Sequence, residues 1–468
     1  MKTPLYTALL RHAEKKPYSF HVPGHHNGDV FFDEARSYYA PLLQLDVTEL
    51  EGLDDLHHPT GVIQEAEELL AHLYGADQSF FLVNGTTVGN LAMVMASCDA
   101  GDEIFIQRNC HKSVFHAVEL AGATPIYLET KVDQKLHVPT HVTEETVKRA
   151  IAAHPSCRAI VLTYPNYYGH AADISNLVKV CHEAGILVLV DEAHGAHFVL
   201  GSGFPPSALS YGADVVVQSA HKTLPAMTMG SFLHLQGDRI NAKRVKTYLT
   251  MLQSSSPSYP IMASLDVARA FVEEMKKENM DEMLRRLESL KEQFGRIPHI
   301  EVVESDMLST DPLKCVIRST RGLSGYELKR ILESVDVHPE LADEHQVLLV
   351  FGLGQMREVP FTAIEQALEQ SDHLLAGKKQ QQEEAAPIQV DQQMQGVVAI
   401  PFEEAKGRIS AESVIPYPPG IPLMIKGERI RMDQIETLRR LLKHDVHVQA
   451  SREIKQGKLY VYIEEETL

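Results

Sequence analysis

The sequence predicts an α/β fold built on a mostly parallel sheet flanked by helices, with smaller α+β domains after it. Short apolar runs recur between residues 79 and 218, and amphipathic helical patterns separate them. The runs are continuously apolar rather than alternating, which is typical of strands buried on both faces of a parallel sheet. Strand–helix repetition over about 150 residues fits one large α/β domain.

Predicted strands and helices alternate along this region. Strands are predicted at 79–83, 103–107, 124–128, 159–163, 186–190 and 214–218. Helices are predicted at 64–74, 113–121, 144–153 and 174–183. Beyond residue 260, the sequence predicts helices at 261–278 and 281–294 and strands near 315–318 and 346–351.

The chain has 468 residues, which is roughly three times an ordinary domain length. A polar, glutamine-rich stretch, GKKQQQEEAAPIQVDQQMQ, is typical of a linker. We therefore expect an N-terminal segment 1–60, a large α/β domain 61–260, a smaller α+β domain 261–376, a linker 377–396 and a C-terminal domain 397–468.

Composition disfavours several classes of protein. The formal net charge of −19 argues against nucleic acid as a partner, because phosphate binding needs a basic face. An acidic protein can attract a cationic small molecule, and the charge can equally serve solubility alone. The five cysteines form no C-x-x-C pair, so we expect free thiols. No apolar run reaches the ~18 residues of a membrane span, and the N-terminus is too polar for a secretory signal, so we expect a cytoplasmic protein.

Three polar constellations follow predicted strands, where open α/β sheets bind their ligands. In the first, Asn84, Gly85, Thr86 and Thr87 stand between a strand and a helix. Free N–H groups, hydroxyls and the positive end of the helix dipole suit a phosphate there. The alternative is an ordinary capped helix, since Thr and Gly cap helices widely.

The second constellation is Asp191, which follows ILVLV in the string DEAHGAHF. A carboxylate after a buried strand needs a cationic or hydrogen-bonding partner, such as a protonated pyridine nitrogen, although a turn-capping role fits as well. His194 and His197 have H-x-x-H spacing, but a helical zinc pair needs i, i+4 spacing and no third ligand is evident. We expect no metal site.

The third constellation is the string SAHKT, with Ser219, His221 and Lys222 after a predicted buried strand. Burial lowers the pKa of a lysine, and a desolvated lysine is what Schiff-base chemistry requires. For this segment alone, a surface lysine in a loop is the alternative. Phosphate cradle, carboxylate and lysine, in that order at strand ends, form the arrangement that a pyridoxal-phosphate enzyme of the aspartate-aminotransferase fold needs.

The chain also resembles the prokaryotic ornithine/lysine/arginine decarboxylases of the pyridoxal-phosphate fold type I group. It is more similar to the small Gram-positive members than to the larger acid-stress enzymes, which carry an extra N-terminal wing domain. The matching strings, in family order, are FHVPGHHNG, GLDDLHHPTGVI, FLVNGTTVGN, RNCHKSVFHA, LVDEAHGAHF, QSAHKTLPAMT, SSSPSYPIMASLD and PYPPGIPLMIKGE.

The resemblance implies a role for each matching position. Lys222 would form the Schiff base with pyridoxal 5'-phosphate, and Asp191 would pair with the pyridinium nitrogen. His111 would stack on the ring, and Ala193 would pack beneath it. The phosphate would lie against Gly85, Thr86, Thr87, Ser219 and His221.

Further implications concern positions distant in sequence. Ser255, between Ser254 and Ser256, matches a segment that reaches a neighbouring subunit's phosphate, so a homodimer or higher homo-oligomer with a shared active site is expected. Glu428 matches a region near the distal cationic end of the substrate. His194 stands where the larger enzymes have an aromatic residue, and we expect it at the cofactor.

Together, the residues and the resemblance imply that the chain decarboxylates a basic amino acid to an amine of the polyamine pathway. Arginine, lysine and ornithine are the candidates, and analogy with the small members favours arginine. An aminotransferase or aldolase on the same fold is one alternative. A catalytically silent homologue that serves as a binding or regulatory subunit is the other.

Overall fold

A seven-stranded sheet organises the first half of the chain. The structure is a computed structural model that describes residues 2–201, 203–306, 308–371 and 396–463. In space the strands follow the order β1-β7-β6-β5-β4-β2-β3, and β7 runs antiparallel to both of its neighbours while the other adjacent pairs are parallel. The strands are β1 Gln78–Leu82, β2 Glu103–Gln107, β3 Thr124–Leu128, β4 Ala159–Thr163, β5 Leu187–Asp191, β6 Val215–Gln218 and β7 Ser231–Leu235.

This sheet confirms the predicted α/β class, and strands β2, β3 and β4 have the predicted bounds. Strand β7 was not predicted, because buried polar residues interrupt its apolar run. Its His234 is fully buried, and the imidazole bonds Ser79 Oγ at 2.7 Å and Gln218 Oε1 at 3.2 Å. A buried strand can therefore carry an imidazole where the neighbouring strands supply partners for both ring nitrogens.

Helices cover both faces of the sheet, and alternate strand residues enter two separate apolar cores. In β2, Phe105 belongs to one core, whereas Ile104 and Ile106 belong to the other. Burial on both faces explains why the strands are continuously apolar. The helices are α1 Pro4–Glu14, α2 Asp33–Leu43, α3 Val62–Tyr74, α4 Gly85–Ser97, α5 Lys112–Ala121, α6 Glu144–Ala153, α7 Ser175–Glu183, α8 Ala220–Thr223, α9 Ala242–Leu252 and α10 Tyr259–Met275.

A second, antiparallel sheet follows, in the order β8-β9-β11-β10. One apolar core runs from Leu5 to Leu368 and joins this sheet to one face of the large sheet. The boundary near residue 260 therefore divides a continuous core, and the domain division stays a proposal. The elements are α11 Met280–Arg296, β8 Ile300–Val302, β9 Lys314–Ser319, α12 Gly325–Glu333, β10 Leu341–Ala342, β11 Val347–Val350 and α13 Phe361–Gln370.

The C-terminal part has an apolar core of its own, which includes Phe402, Ile435 and Val461. Its strands β12 Val397–Pro401 and β13 Lys458–Tyr462 pair antiparallel, and helix α14 Met432–Lys443 packs on them. The predicted linker 377–396 lies outside the described residues, except for its last residue. Two-residue strand pairs complete the fold: Val132–Asp133 with Val138–Pro139, His170–Ala171 with Ser309–Thr310, and Ile415–Pro416 with Val448–Gln449.

All five cysteines are free and buried. Across the described ranges, no helix combines the length and apolar character needed to cross a bilayer.

Candidate active site

The first predicted constellation forms the N-terminal end of helix α4. Gly85 has a φ of 77°, and a Cβ there would meet no atom within 4 Å, so this turn faces open space. The Thr86 hydroxyl contacts the Ser219 hydroxyl and lies 3.1 Å from Ser231 Oγ. No side chain caps the helix. The Gly85 N–H donates to the Met229 carbonyl at 2.9 Å, and the N–H groups of Thr86 and Thr87 are the ones left to a ligand. Hydroxyls and a helix N-terminus together suit a phosphate.

Asp191 ends strand β5 and is almost fully buried. Its carboxylate accepts hydrogen bonds from Asn90 Nδ2 at 2.8 Å and from the Ala193 N–H at 3.1 Å. Burial raises the pKa of Asp191, and the nearby Lys222 charge and the Asn90 hydrogen bond oppose that rise. One fixed donor on each oxygen leaves a second lone pair of each oxygen for a cation.

Lys222 lies in helix α8, and its side chain is exposed to solvent rather than buried as the sequence suggested. It is nevertheless enclosed deeply enough that desolvation lowers its pKa, against the opposing pull of Asp191 and Glu340. Its Nζ lies 5.7 Å from the centre of the Tyr167 ring. The amine is thus reachable from solvent and has reduced basicity, as a Schiff-base lysine requires.

His194 lies between two lysine side chains. Its Nε2 is 3.1 Å from Lys222 Nζ, and its Nδ1 is 3.2 Å from Lys314 Nζ. Burial, followed by the charges of these two lysines, lowers the pKa of His194 well below the ordinary value. The imidazole is therefore neutral and in direct contact with the amine that would hold the cofactor.

His111 forms the N-cap of helix α5, and its Nδ1 accepts a hydrogen bond from the Ser113 N–H at 3.2 Å. Burial is the main cause that lowers the pKa of His111 to about 3. Gly420 packs tightly on this ring, because a Cβ on Gly420 would lie 2.9 Å from His111 Nε2. A neutral imidazole fixed on both sides suits the predicted stacking role, which stays a prediction.

The remaining residues predicted at the phosphate lie around the same edge of the sheet. Ser219 is buried against Thr86, and His221 directs Nδ1 to the Gly230 carbonyl at 3.0 Å. Thr87, the third residue of helix α4, is exposed. Ser254, Ser255 and Ser256 are all exposed, which leaves them accessible to a second chain.

Glu428 lies in a buried cluster of hydrogen-bond donors. Its carboxylate is 1% exposed and accepts hydrogen bonds from Arg108 at 2.9 Å, Arg431 at 3.1 Å and Gln434 at 2.9 Å. The Ile425 N–H, at 2.9 Å, provides a fourth donor. Four donors already occupy this carboxylate, and its predicted role at the cationic end of the substrate stays a prediction.

Sequence reasoning missed four residues of this region. Asn90 lies on helix α4 beyond the cradle, and Tyr167 and Lys314 belong to segments that showed no motif. A lysine that opens the apolar string KCVIR was the one available signal, because lysine is rarely buried without a partner. Glu340 is exposed, and its carboxylate acts electrostatically on Lys222, Lys314 and His221.

The donor set at this edge fits pyridoxal phosphate. The open turn at Gly85 with the hydroxyls of Thr86 and Ser219 suits the phosphate group. Asp191 suits the pyridinium nitrogen, and Lys222 offers an amine of lowered pKa. All the groups that the cofactor needs are therefore present on one edge of one sheet.

Comparison with known proteins agrees with this geometry. Residues 3–310 match the family described as Orn/Lys/Arg decarboxylase, major domain. Residues 371–448 match the family described as Orn/Lys/Arg decarboxylase, C-terminal domain.

Among curated relatives, "Uncharacterized protein YaaO" of Bacillus subtilis (strain 168) is 54% identical over 489 residues, covering 100% of both chains. "Arginine decarboxylase" of the same organism is 35% identical, over 96% of this chain and 95% of the relative. Among solved structures, the Francisella novicida lysine decarboxylase LdcF has a TM-score of 0.80 at 20% identity, over 99% of this chain and 81% of that one. The likeness to LdcF shows the fold.

Proposed function

The chain belongs to the Orn/Lys/Arg decarboxylase family, and we propose that it converts L-arginine to agmatine and carbon dioxide in cytoplasmic polyamine synthesis. It is a pyridoxal-phosphate-dependent decarboxylase of basic amino acids with the fold type I architecture. The observation that carries the proposal is the meeting of the Gly85 turn, Asp191 and Lys222 at one sheet edge. Arginine is favoured because relatives 35% identical are named arginine decarboxylases.

In the proposed mechanism, the residues of the chain bind, orient and handle protons. Lys222 would hold the cofactor, and Asp191, whose negative charge the Asn90 amide and the Ala193 N–H stabilise, would face the ring nitrogen. Pyridoxal phosphate, when bound, supplies a conjugated system that accepts the electron pair left on the α-carbon. The buried ring of Tyr167 beside Lys222 limits water at the reacting carbon.

Glu340 is our candidate for the cationic end of the substrate. It is exposed, it acts on Lys222 and Lys314, and its side chain forms no ion pair with another described residue. An exposed carboxylate that acts on Lys222 suits a guanidinium or an ammonium group. We expect Glu340→Gln to raise KM more than it lowers kcat, whereas Glu333→Gln, which removes an ion pair with Lys329 elsewhere, should change neither.

A homodimer is the assembly we propose. Four aromatic side chains near the N-terminus are 70% exposed or more: Tyr18, Phe20, Phe32 and Tyr38. Monomeric proteins rarely expose such apolar groups together, and a second copy would cover them. The exposed serines at 254–256 would then face a neighbouring subunit. Sedimentation analysis of the full chain should give twice the monomer mass, and a monomer that retains full turnover would contradict this.

Carbon dioxide release is the experiment that tests the function. The purified chain is supplied with carboxyl-labelled L-arginine, L-lysine and L-ornithine in turn, and labelled carbon dioxide and keto acids are measured. We expect labelled carbon dioxide in each active case and the highest kcat/KM with arginine. A preference for lysine or ornithine would overturn the substrate, and keto acids without carbon dioxide would overturn decarboxylation itself.

A further inference from the structure

Three side chains from separate parts of the fold form a continuous hydrogen-bonded contact, which we call the lysine bridge. It runs from Lys222 Nζ through the imidazole of His194 to Lys314 Nζ, with contacts of 3.1 Å and 3.2 Å. Lys222 lies in α8, His194 follows β5, and Lys314 opens β9. The bridge therefore joins the large sheet to the second sheet through one ring.

Hydrogen-bond chemistry limits the charge of the lysine bridge. A neutral imidazole has one N–H and one lone pair, and an ammonium group has no lone pair to offer. Because the two lysines contact opposite ring nitrogens, the lysine on the N–H side must be an uncharged amine. If the ring is protonated instead, both lysines must be uncharged. With both contacts kept, the bridge carries no more than one positive charge.

The groups around Lys314 favour the positive charge on that lysine. Lys314 and Asp311 are both almost fully buried, and the Asp311 charge favours the protonated form of Lys314. Asp311 Oδ1 bonds His197 Nε2 at 2.9 Å, whereas Oδ2 has no hydrogen-bond partner among the described residues. A buried carboxylate with a free oxygen stabilises a nearby cation.

Near Lys222, by contrast, Asp191 already has donors to both of its oxygens. Desolvation lowers the pKa of both lysines, which agrees with a single shared proton. The other titratable groups that face the lysine bridge are His111, Tyr167, His197 and Glu340.

We infer that Lys314, acting through His194, sets the protonation state of Lys222 and serves as a proton store for it. When Lys222 gives up its proton, that proton passes from Lys222 Nζ to His194 Nε2 while the proton on His194 Nδ1 passes to Lys314 Nζ. The ring changes tautomer, Lys222 becomes a free amine, and the total charge is unchanged. Lys314 is a positioning residue that acts on Lys222. This inference rests on the proposed role of Lys222 as the cofactor lysine.

The test follows how readily Lys222 reacts as a free amine. Full-length chain is stripped of cofactor, pyridoxal phosphate is added, and the rate of imine formation is measured by absorbance between pH 6 and pH 10. The variants are Lys314→Met, His194→Phe and the double variant. Lys291→Met removes a lysine that pairs with Glu304 elsewhere, and it is the matched control.

We expect Lys314→Met and His194→Phe each to raise the midpoint pH of the reaction by about one unit, because Lys222 then keeps its proton. The double variant should show no further rise, since both changes break the same path. The control should match the wild type. An unchanged or lowered midpoint in Lys314→Met overturns the inference. A Lys314→Met shift that persists undiminished with Phe at 194 also overturns it, because the effect would then be through-space repulsion alone.

Peptide mapping after borohydride reduction separates this inference from the proposed function. If the cofactor is found on Lys222 in every protein and the midpoint pH does not shift, Lys314 is not a proton store, and the role of Lys222 as the cofactor lysine stands. Cofactor found on another lysine in the wild type would remove both.

Discussion

Two charged clusters flank the candidate active site, and they differ in how well their charges are paired. The Glu428 cluster, made of Glu428, Arg108, Arg431 and Gln434, gives its carboxylate four donors. The lysine bridge places two basic side chains on one neutral ring. In the Glu428 cluster, every lone pair of the carboxylate has a hydrogen-bond partner. In the lysine bridge, the hydrogen bonds allow only one of the two lysines to be protonated.

The difference separates structural charges from chemical ones. Arg108 follows strand β2 and also donates to the Pro422 carbonyl at 2.9 Å, so the Glu428 cluster fastens the C-terminal part to the large sheet. A buried charge with a partner on every side holds two surfaces together. An underpaired cluster changes its protonation readily, which is what proton transfer at an active site requires.

The largest effect is expected at the underpaired cluster. Lys222→Ala removes the amine that holds the cofactor, so turnover should fall by roughly four orders of magnitude or more. Because the Lys222 side chain is exposed and its removal breaks the contact with His194, the free energy of unfolding should stay within about 1 kcal/mol of wild type. Carbon dioxide release and urea unfolding measure the two quantities. Retained turnover would refute the assignment of Lys222.

The opposite pattern is expected at the paired cluster. Glu428→Ala leaves two guanidinium groups without their shared anion, which should cost about 3–5 kcal/mol of stability. Glu428→Gln keeps the shape and part of the hydrogen bonding, so its loss should be smaller. Glu436→Ala, an exposed position on the same helix, should change little. A stable Glu428→Ala protein that has lost turnover would instead support the substrate role of Glu428.

Gly420 tests how the C-terminal part supports the site. Gly420→Ala places a Cβ 2.9 Å from His111 Nε2 at a φ of 89°, so it should cost about 1–3 kcal/mol and lower kcat as His111 shifts. Gly407 has a similar φ of 80° but no atom within 4 Å of a Cβ. Gly407→Ala should therefore show the backbone cost alone, with kcat unchanged. Equal loss of kcat in both variants would contradict a specific effect of the Gly420–His111 contact on catalysis.

The smallest effect concerns stability against pH. The folded-state pKa of Lys314 is lowered, so between that value and its unfolded pKa the unfolded chain binds more protons. Stability should therefore rise with pH in this window, by no more than about 1.4 kcal/mol per pH unit for one proton. In cofactor-free protein, Lys314→Met should lose this part of the slope and Lys291→Met should keep it. Identical slopes in all three proteins would show that Lys314 is charged throughout.

The fold was largely predictable because its strands are apolar on both faces. Strands β2, β3 and β4 were found with correct bounds from hydrophobic runs alone, since their signal is local. Strand β7 was missed because His234 is satisfied by partners on two other strands. Its burial therefore depends on contacts that no local pattern shows.

The candidate site divides in the same way. The Gly85 turn, Asp191 and Lys222 each end or follow a strand, so topology alone predicts that they converge. The contact of Lys314 with His194 spans 120 positions and that of Glu428 with Arg108 spans 320. Such pairs are decided by how the second sheet and the C-terminal part dock. Sequence reasoning therefore missed Lys314 and the pairing of Glu428 with Arg108.

The most direct measurement is to locate the cofactor on the chain. Enzyme loaded with pyridoxal phosphate is reduced with borohydride and digested, and the phosphopyridoxyl group is mapped by mass spectrometry. The account predicts one modified lysine, Lys222, in the peptide that contains QSAHKTLPA. Attachment at Lys314 or at any other lysine, or an unmodified Lys222 in catalytically active protein, would contradict it.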